Sequence, residues 1–172
     1  VPQGRNIWAV PTDVLVRTMI FRKDVFQEAG LDPLDPPRTW DELLEAGRKI
    51  GSQPGRVGMA LQGGQNLSWS VYSFMVSNGV RYMEQDEDGQ WRASYDTREA
   101  AESIYFLLEL LYGEYEGEDG QTHYGVAEAP ANSQRLNQRW ELGEVGIRST
   151  YLQNEVMASV NPEVTGIAPV PI

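Results

Sequence analysis

The sequence contains no cysteine, only one histidine and comparatively few basic residues. Without cysteine the chain forms no disulfide bond and offers neither a thiolate ligand for zinc nor a cysteine nucleophile. Lysine and arginine together number 14 against 25 aspartate and glutamate residues, which gives a formal net charge of -11 at pH 7. Because nucleic acids and anionic membrane surfaces are bound through clustered basic side chains, this balance argues against both partners.

Long hydrophobic runs are also missing. The apolar stretch at residues 104–111 is interrupted by Glu109 and is far shorter than the roughly 20 residues that span a bilayer, so no membrane insertion is expected. No basic segment followed by an apolar one, as in a signal peptide, is visible. With 172 residues, of which 41% are hydrophobic, we expect residues 1–172 to form a single domain with one core.

Common catalytic and metal-binding motifs are absent. The sequence has no Gly-x-Ser-x-Gly motif, no phosphate-binding glycine loop and no His-Glu-x-x-His motif. The acidic turns at residues 85–89 and 116–120 lack the alternating ligands of a calcium-binding EF-hand loop. His123, the single histidine, does not make a metal cluster. We therefore expect no enzymatic activity, no metal site and no cofactor.

Strand and helix patterns alternate along the chain. Strands are predicted at residues 5–10, 17–22, 57–61, 145–149 and 165–170, and a hairpin is predicted around the acidic turn at residues 88–89. Helices are predicted at residues 23–29, 39–50, 68–78, 96–112 and 132–142, and residues 114–120 are expected to form a loop. This alternation predicts an α/β fold.

Three of the predicted helices carry informative details. Thr39 is a natural N-cap that Glu42 completes as a capping box, and Trp40 lies on the core stripe of that helix. In the next helix an apolar side is formed by Trp69, Tyr72 and Val76. The following helix is expected to be capped by Asp96 and to bury Ala100, Ile104, Leu107, Leu108 and Leu111.

Two neighbouring segments resemble a known protein family. Residues 20–32 read I-F-R-K-D-V-F-Q-E-A-G-L-D, and residues 37–43 read P-R-T-W-D-E-L. Both are similar to the signature of family 1 extracellular solute-binding proteins, relatives of maltose-binding protein that serve ABC importers as receptors. Weaker matches follow in the family's order, at residues 77–79, 95–97 and 143–147. The resemblance covers nearly the whole chain.

The resemblance implies both an architecture and a location. Members have two α/β lobes joined by crossing strands, with the solute held in the cleft between the lobes. This chain maps onto one lobe, a small mixed sheet flanked by helices, entered through the strand of Trp8 and left near residues 166–171. The family's N-terminal lobe and C-terminal helices are missing from this segment. An extracytoplasmic location, periplasmic or as a cell-surface lipoprotein, and membrane subunits of an ABC importer as partners are implied as well.

The expected ligand is a sugar or an oligosaccharide. Trp69 follows a Gly-Gly-Gln-Asn loop, where its ring is able to project into a cleft and stack on the apolar face of a sugar. In the same loop, the side-chain amides of Gln65 and Asn66 suit the hydroxyl groups of a sugar.

Further candidates come from the resemblance. Tyr151 stands where family members carry a ligand-contacting aromatic residue, and Arg148 precedes it on the same segment. Arg17 and Trp8 lie beside or on the strand that enters the lobe. We expect Trp69, Tyr151 and Arg148 to converge on one concave surface that is open to solvent.

Three alternatives stay open. Arg17 and Arg148 suit a phosphate, carboxylate or sulfate group, which would make the solute anionic, as in a sugar phosphate. A pair of the many carboxylates is able in principle to hydrolyse a glycoside. The chain is also compatible with a plain interaction domain that binds no small ligand.

Overall fold

The computed structural model describes residues 10–12, 15–152 and 163–172. In these ranges the helices are α1 (Lys23–Glu28), α2 (Trp40–Gly51), α3 (Leu67–Ser77), α4 (Arg98–Tyr112) and α5 (Ser133–Glu141). The strands are β1 (Arg17–Arg22), β2 (Val57–Ala60), β3 (Met83–Gln85), β4 (Trp91–Ala93), β5 (Glu114–Glu116), β6 (Thr122–Tyr124), β7 (Ala127–Glu128), β8 (Val145–Tyr151) and β9 (Thr165–Ala168). Most of the strand predicted at residues 5–10 lies outside the described residues.

Five strands form the main sheet in the order β7-β2-β8-β1-β9. β1 runs antiparallel to β8 and β9, whereas β2 runs parallel to β7 and β8. Consequently β1 begins at the same edge of the sheet at which β2, β8 and β9 end. This edge, marked by Arg17, Ala60, Tyr151 and Ala168, is termed the strand-end edge. The mixed sheet with its flanking helices confirms the predicted fold class.

The two faces of the sheet carry different apolar clusters because successive strand residues point to opposite sides. Met19 and Phe21 belong to the main core, which includes buried residues of α1, α2, α3 and α4. Ile20 belongs to a second cluster, in which Leu136 and Trp140 of α5 cover the other face.

Trp40 lies on the core side of α2, as predicted. Its ring stacks on Phe106 of α4 with centroids 4.4 Å apart, and its Nε1 donates a hydrogen bond to the carbonyl of Pro171 at 3.1 Å. The side chain therefore joins α2, α4 and the C-terminal segment, which is a structural role.

The predicted capping box is present at the N-terminus of α2. Thr39 Oγ1 accepts a hydrogen bond from the Glu42 N–H at 3.3 Å, and Glu42 Oε2 accepts one from the Thr39 N–H at 3.1 Å. Because Thr39→Ala removes an acceptor for a helix N–H, we expect it to lower the free energy of unfolding by about 1 kcal/mol. Urea denaturation followed by circular dichroism measures the loss. Thr39→Ser keeps the cap and is the control; equal stability of Thr39→Ala and wild type would contradict the expectation.

α4 differs from the prediction at its start and on its core face. Thr97 rather than Asp96 is the N-cap, with its Oγ1 accepting from the Ala100 N–H at 3.2 Å. Ile104 and Leu108, predicted to be buried, are 39% and 47% exposed. Apolar residues occur on several sides of this helix, so tertiary contacts rather than periodicity select the buried face. The buried residues are Ala100, Ser103, Phe106, Leu107 and Leu110.

The acidic segment predicted as a loop begins with a strand. β5 pairs antiparallel with β6, which places Tyr115 opposite His123 with ring centroids 5.3 Å apart. The loop prediction was wrong for residues 114–116, because a strand of three residues is too short to show an alternating apolar pattern. Contacts between side chains on the paired strands stabilise them instead.

Candidate functional site

A concave surface lies at the strand-end edge, between α3 and the ends of β1, β8 and β9. Its volume is about 790 Å³, and most of its wall consists of aliphatic and aromatic side chains. This surface is termed the edge cavity. Its lining residues are Leu15, Val16, Arg17, Thr18, Trp69, Tyr72, Ser73, Val76, Ser77, Tyr151, Ile167, Ala168, Pro169 and Val170.

An aromatic pair forms one wall of the edge cavity. Trp69, in the first turn of α3, and Tyr151, the last residue of β8, meet edge to face with ring centroids 6.4 Å apart and an interplanar angle of 68°. Trp69 remains 50% exposed. The structure thus brings two of the predicted site residues together on a surface that is open to solvent.

The loop between β2 and α3 places Trp69 at the edge cavity. β2 ends at the strand-end edge, and the chain then turns through Gly63 and Gly64 into a short 3-10 turn before α3 begins. A Cβ atom on Gly63 would overlap the carbonyl oxygen of Ala129, and Gly64 has a φ of +61°. Gly63 leaves no room for a side chain, and Gly64 has a backbone conformation that favours glycine, so both positions of this loop suit glycine.

Arg17 connects three elements next to the aromatic pair. Its Nη2 donates to the hydroxyl of Ser70 at 3.3 Å and to the carbonyl of Ser149 at 3.2 Å, while its Cζ lies 4.8 Å from the ring centroid of Tyr151. The hydrogen bonds fix the guanidinium group of Arg17, and its cation–π contact then holds Tyr151 in position. In the part of the chain that the structure describes, Nε and Nη1 of Arg17 are buried without a hydrogen-bond partner.

Arg148 does not line the edge cavity, contrary to the expected convergence with the aromatic pair. It is 3% exposed and lies in register with Ile20 and Ala60, which belong to the cluster on the α5 side of the sheet. Residues three apart on one strand point to opposite faces, so the sheet separates the side chains of Arg148 and Tyr151. Burial and the nearby charge of Arg17 lower the pKa of Arg148 to about 10, which leaves it charged at neutral pH.

The remaining predicted site residues lie beside the cavity or outside the described ranges. Gln65 and Asn66 form part of the 3-10 turn, are exposed and do not line the cavity. Their contact with a solute stays a prediction. Trp8 lies outside the described residues, so its contact with a solute also stays a prediction.

Several lining residues are not among the predicted site residues. Tyr72 and Val76 share a face of α3 with Trp69, as the helical spacing indicates, but spacing alone does not show whether that face meets the core or a cavity. Leu15, just before β1, and Ile167, in β9, also line the cavity, and β1 and β9 are paired. No local sequence signal marks them, because strand pairing over a long sequence distance brings them there.

The described residues offer neither a metal site nor a membrane-spanning helix. Within residues 10–12, 15–152 and 163–172, no three His, Cys, Asp or Glu side chains are arranged to hold a metal ion. The side chain of His123 instead contacts Asp119, with 3.0 Å between Nε2 and Oδ1, and this hydrogen bond lowers the pKa of Asp119. None of the helices in these ranges has the length and apolarity needed to cross a lipid bilayer.

Known proteins are similar to this chain in sequence and structure. The family model described as "Bacterial extracellular solute-binding protein" matches residues 1–171. The chain is 32% identical over 110 residues to a probable amino-acid ABC transporter periplasmic-binding protein of Sinorhizobium fredii. It is 29% identical over 105 residues to an arabinooligosaccharide-binding protein of Halalkalibacterium halodurans. A solved structure of a cyclic α-maltosyl-1,6-maltose binding protein from Arthrobacter globiformis superposes with a TM-score of 0.66 and 28% identity.

These similarities cover most of this chain but a smaller share of each relative. The matched regions are 63% of this chain and 24% of the S. fredii protein, and 61% of this chain and 22% of the H. halodurans protein. The structural match covers 90% of this chain and 36% of the A. globiformis protein. The chain therefore corresponds to one part of each of these longer proteins.

Proposed function

The chain belongs to the family of bacterial extracellular solute-binding proteins, and we propose that its edge cavity captures a carbohydrate. The observation that carries this proposal is the edge-to-face pair of Trp69 and Tyr151 in an open cavity. A half-exposed indole offers a flat apolar surface on which the C–H face of a sugar ring stacks. The hydroxyl groups of Ser73 and Ser77, which line the same cavity, are able to accept hydrogen bonds from sugar hydroxyls.

The names of the relatives and the lining of the cavity together favour a carbohydrate over an amino acid as the ligand. Two of the three are named for oligosaccharides and one for amino acids. A free amino acid carries one charge of each sign and needs a partner for both. Among the described residues the edge cavity is lined by Arg17 but by no carboxylate, which favours the sugar.

The proposal extends to partners and location. We assign residues 1–172 to one lobe of a two-lobed receptor that works outside the cytoplasmic membrane and delivers its solute to the membrane subunits of an ABC importer. The match to 36% of a longer solute-binding protein supports a single lobe. Capture and release break no covalent bond, so no catalysed reaction is part of the proposal.

Calorimetric titration of the full-length protein that carries this chain, with a panel of neutral mono- and oligosaccharides, tests the function. We expect at least one sugar to bind with a micromolar dissociation constant. Each 1.4 kcal/mol of lost binding free energy weakens binding about tenfold. We therefore expect the isolated lobe, which lacks the contacts of the second lobe, to bind with a dissociation constant above about 1 mM. A panel without any binder would contradict the proposal, and micromolar binding by the isolated chain would contradict the single-lobe assignment. Hydrolysis of a glycoside would support the enzyme alternative.

A second candidate is an anionic solute such as a sugar phosphate, which the charge of Arg17 favours. Arg17 lines the edge cavity, and a guanidinium group binds phosphate or carboxylate oxygens in pairs. Adding sugar phosphates to the same panel separates the candidates. Binding of the phosphate that weakens with salt and is lost in Arg17→Gln would favour the anionic solute, and preference for the unphosphorylated sugar would favour the neutral one.

A further inference from the structure

Ser70 links α3 to the main sheet behind the edge cavity. It directly follows Trp69 on the helix, yet it is 0% exposed, whereas the indole is half exposed. Consecutive residues of an α-helix point about 100° apart, so one turn of α3 directs Trp69 to the cavity and Ser70 to the interior. The hydroxyl of Ser70 accepts a hydrogen bond from Arg17 Nη2 at 3.3 Å. The first turn of α3 is therefore tied to the first residue of β1.

The nitrogen atoms of Arg17 are bound to the protein or buried in it. Nη2 donates to the hydroxyl of Ser70 at 3.3 Å and to the carbonyl and hydroxyl oxygens of Ser149 at 3.2 Å and 3.3 Å. Nε and Nη1 are buried atoms, which a solute in the cavity does not reach. An anionic solute would therefore have to compete with Ser70 and Ser149 for Nη2. In this arrangement Arg17 acts on the cavity through its contact with Tyr151.

The two rings of the aromatic pair are carried by different elements. Trp69 belongs to α3, which lies outside the sheet, and Tyr151 is the last residue of β8. The geometry of the pair thus depends on how α3 is held against the strand-end edge. The hydrogen bond from Arg17 to Ser70 and the contact of the Arg17 Cζ with the Tyr151 ring, at 4.8 Å from its centroid, form a continuous path from α3 to that ring. A site that is fixed before the ligand arrives loses less conformational freedom on binding.

We propose that Ser70 is a positioning residue of the carbohydrate site. Through Arg17 it holds Tyr151 in place relative to Trp69, and it raises the affinity for the solute without touching the solute, since Ser70 does not line the edge cavity. Arg17 is then a positioning residue as well. The inference rests on the proposed function, because it names residues that prepare the same cavity for a neutral sugar.

The first test is calorimetric titration of the full-length protein with the tightest-binding member of the panel of neutral sugars. We expect Ser70→Ala to weaken binding by about threefold to tenfold, because the guanidinium group loses an acceptor that fixes its position. Ser70→Thr keeps the hydroxyl acceptor and should bind within about twofold of wild type. Thermal melting confirms that each variant is folded.

Ser103→Ala is the matched control for Ser70→Ala. Ser103 of α4 is also 0% exposed, and its hydroxyl donates to the carbonyl of Glu99 at 2.7 Å. The control therefore removes a buried serine hydroxyl and its hydrogen bond at a position that does not line the cavity. We expect it to lower the melting temperature and to leave the sugar affinity within about twofold of wild type.

A double-mutant cycle with Arg17 separates positioning from a general loss of stability. Arg17→Met keeps a long side chain and removes the guanidinium group, so it should weaken binding at least as much as Ser70→Ala. Because Ser70 acts through Arg17, adding Ser70→Ala to Arg17→Met should cause no further loss of affinity. A serine that only stabilises the fold would reduce the affinity by the same factor in both backgrounds. Arg17→Gln provides a second background for the same comparison.

The outcomes distinguish this inference from the proposed function. Wild-type affinity in Ser70→Ala, or an equal loss in both backgrounds, would overturn the inference, while sugar binding by the wild type would still support the proposed function. Binding that weakens with salt, is lost in Arg17→Met and is kept in Ser70→Ala would show that Arg17 contacts the solute directly, which overturns the inference as well. Absence of binding to every sugar would overturn the proposed function and the inference with it.

Discussion

Replacing Trp140 with alanine is expected to lower the free energy of unfolding by about 3–5 kcal/mol. Trp140 is 1% exposed and fills the space between α5 and the sheet, where it packs in a cluster with Leu136, Ile20, Ala60 and Val145. Among the described residues its Nε1 has no hydrogen-bond partner. The substitution therefore removes packing and leaves a cavity, and among the described residues it removes no side-chain hydrogen bond.

Equilibrium urea denaturation monitored by circular dichroism measures this effect. Trp91→Ala is the matched control, because Trp91 is 63% exposed on a two-stranded hairpin, and it should change stability by less than about 1 kcal/mol. Trp140→Phe, which keeps an aromatic ring, should fall between the two. A loss below about 1 kcal/mol for Trp140→Ala would show that α5 does not depend on this contact with the sheet.

Replacing Trp69 with alanine is expected to weaken carbohydrate binding by the full-length protein by more than about tenfold, a loss of at least about 1.4 kcal/mol of binding free energy. The indole is half exposed and meets Tyr151 edge to face, so the substitution removes the flat surface on which the sugar stacks. Tyr151 also loses one of its neighbours, although Arg17 still holds it.

Isothermal titration calorimetry with the best sugar of the panel measures the change. Trp91→Ala again serves as the control, because that residue does not line the edge cavity, and its affinity should match wild type. Thermal melting of Trp69→Ala distinguishes lost binding from lost folding. An affinity within about twofold of wild type, in a variant that melts normally, would exclude Trp69 as the stacking platform.

Much of the local structure is predictable from the sequence because its causes are local. The capping box of Thr39 and Glu42 needs only two side chains three residues apart, and the structure shows both of its hydrogen bonds. Asn132 caps α5 with its side chain alone, which accepts from the N–H groups of Gln134 and Arg135. The shared face of Trp69 and Tyr72 follows from helical spacing. The family signature at residues 20–43 is equally local, and the family match over residues 1–171 confirms it.

Other features depend on which segments meet. Ile104 and Leu108 have the spacing of a core face, yet α4 buries Ser103 and Phe106, because Phe106 on that side stacks on Trp40 and meets Phe74 edge to face. The apolar pattern of α4 alone does not show which side of the helix is buried.

The site shows the same division between local and long-range causes. The sequence determined which residue types suit a sugar. These are a tryptophan after a glycine loop and a tyrosine near a strand end, and each is recognisable from the few residues around it. Only the tertiary structure decided that Tyr151 of β8 lies opposite Arg17 of β1. This pairing extends β8 past its predicted end at residue 149. Pairing with Ile20 places Arg148 on the α5 face, and the extension places Tyr151 on the cavity face, because side-chain direction alternates along a strand and strand length is decided by the pairing partner.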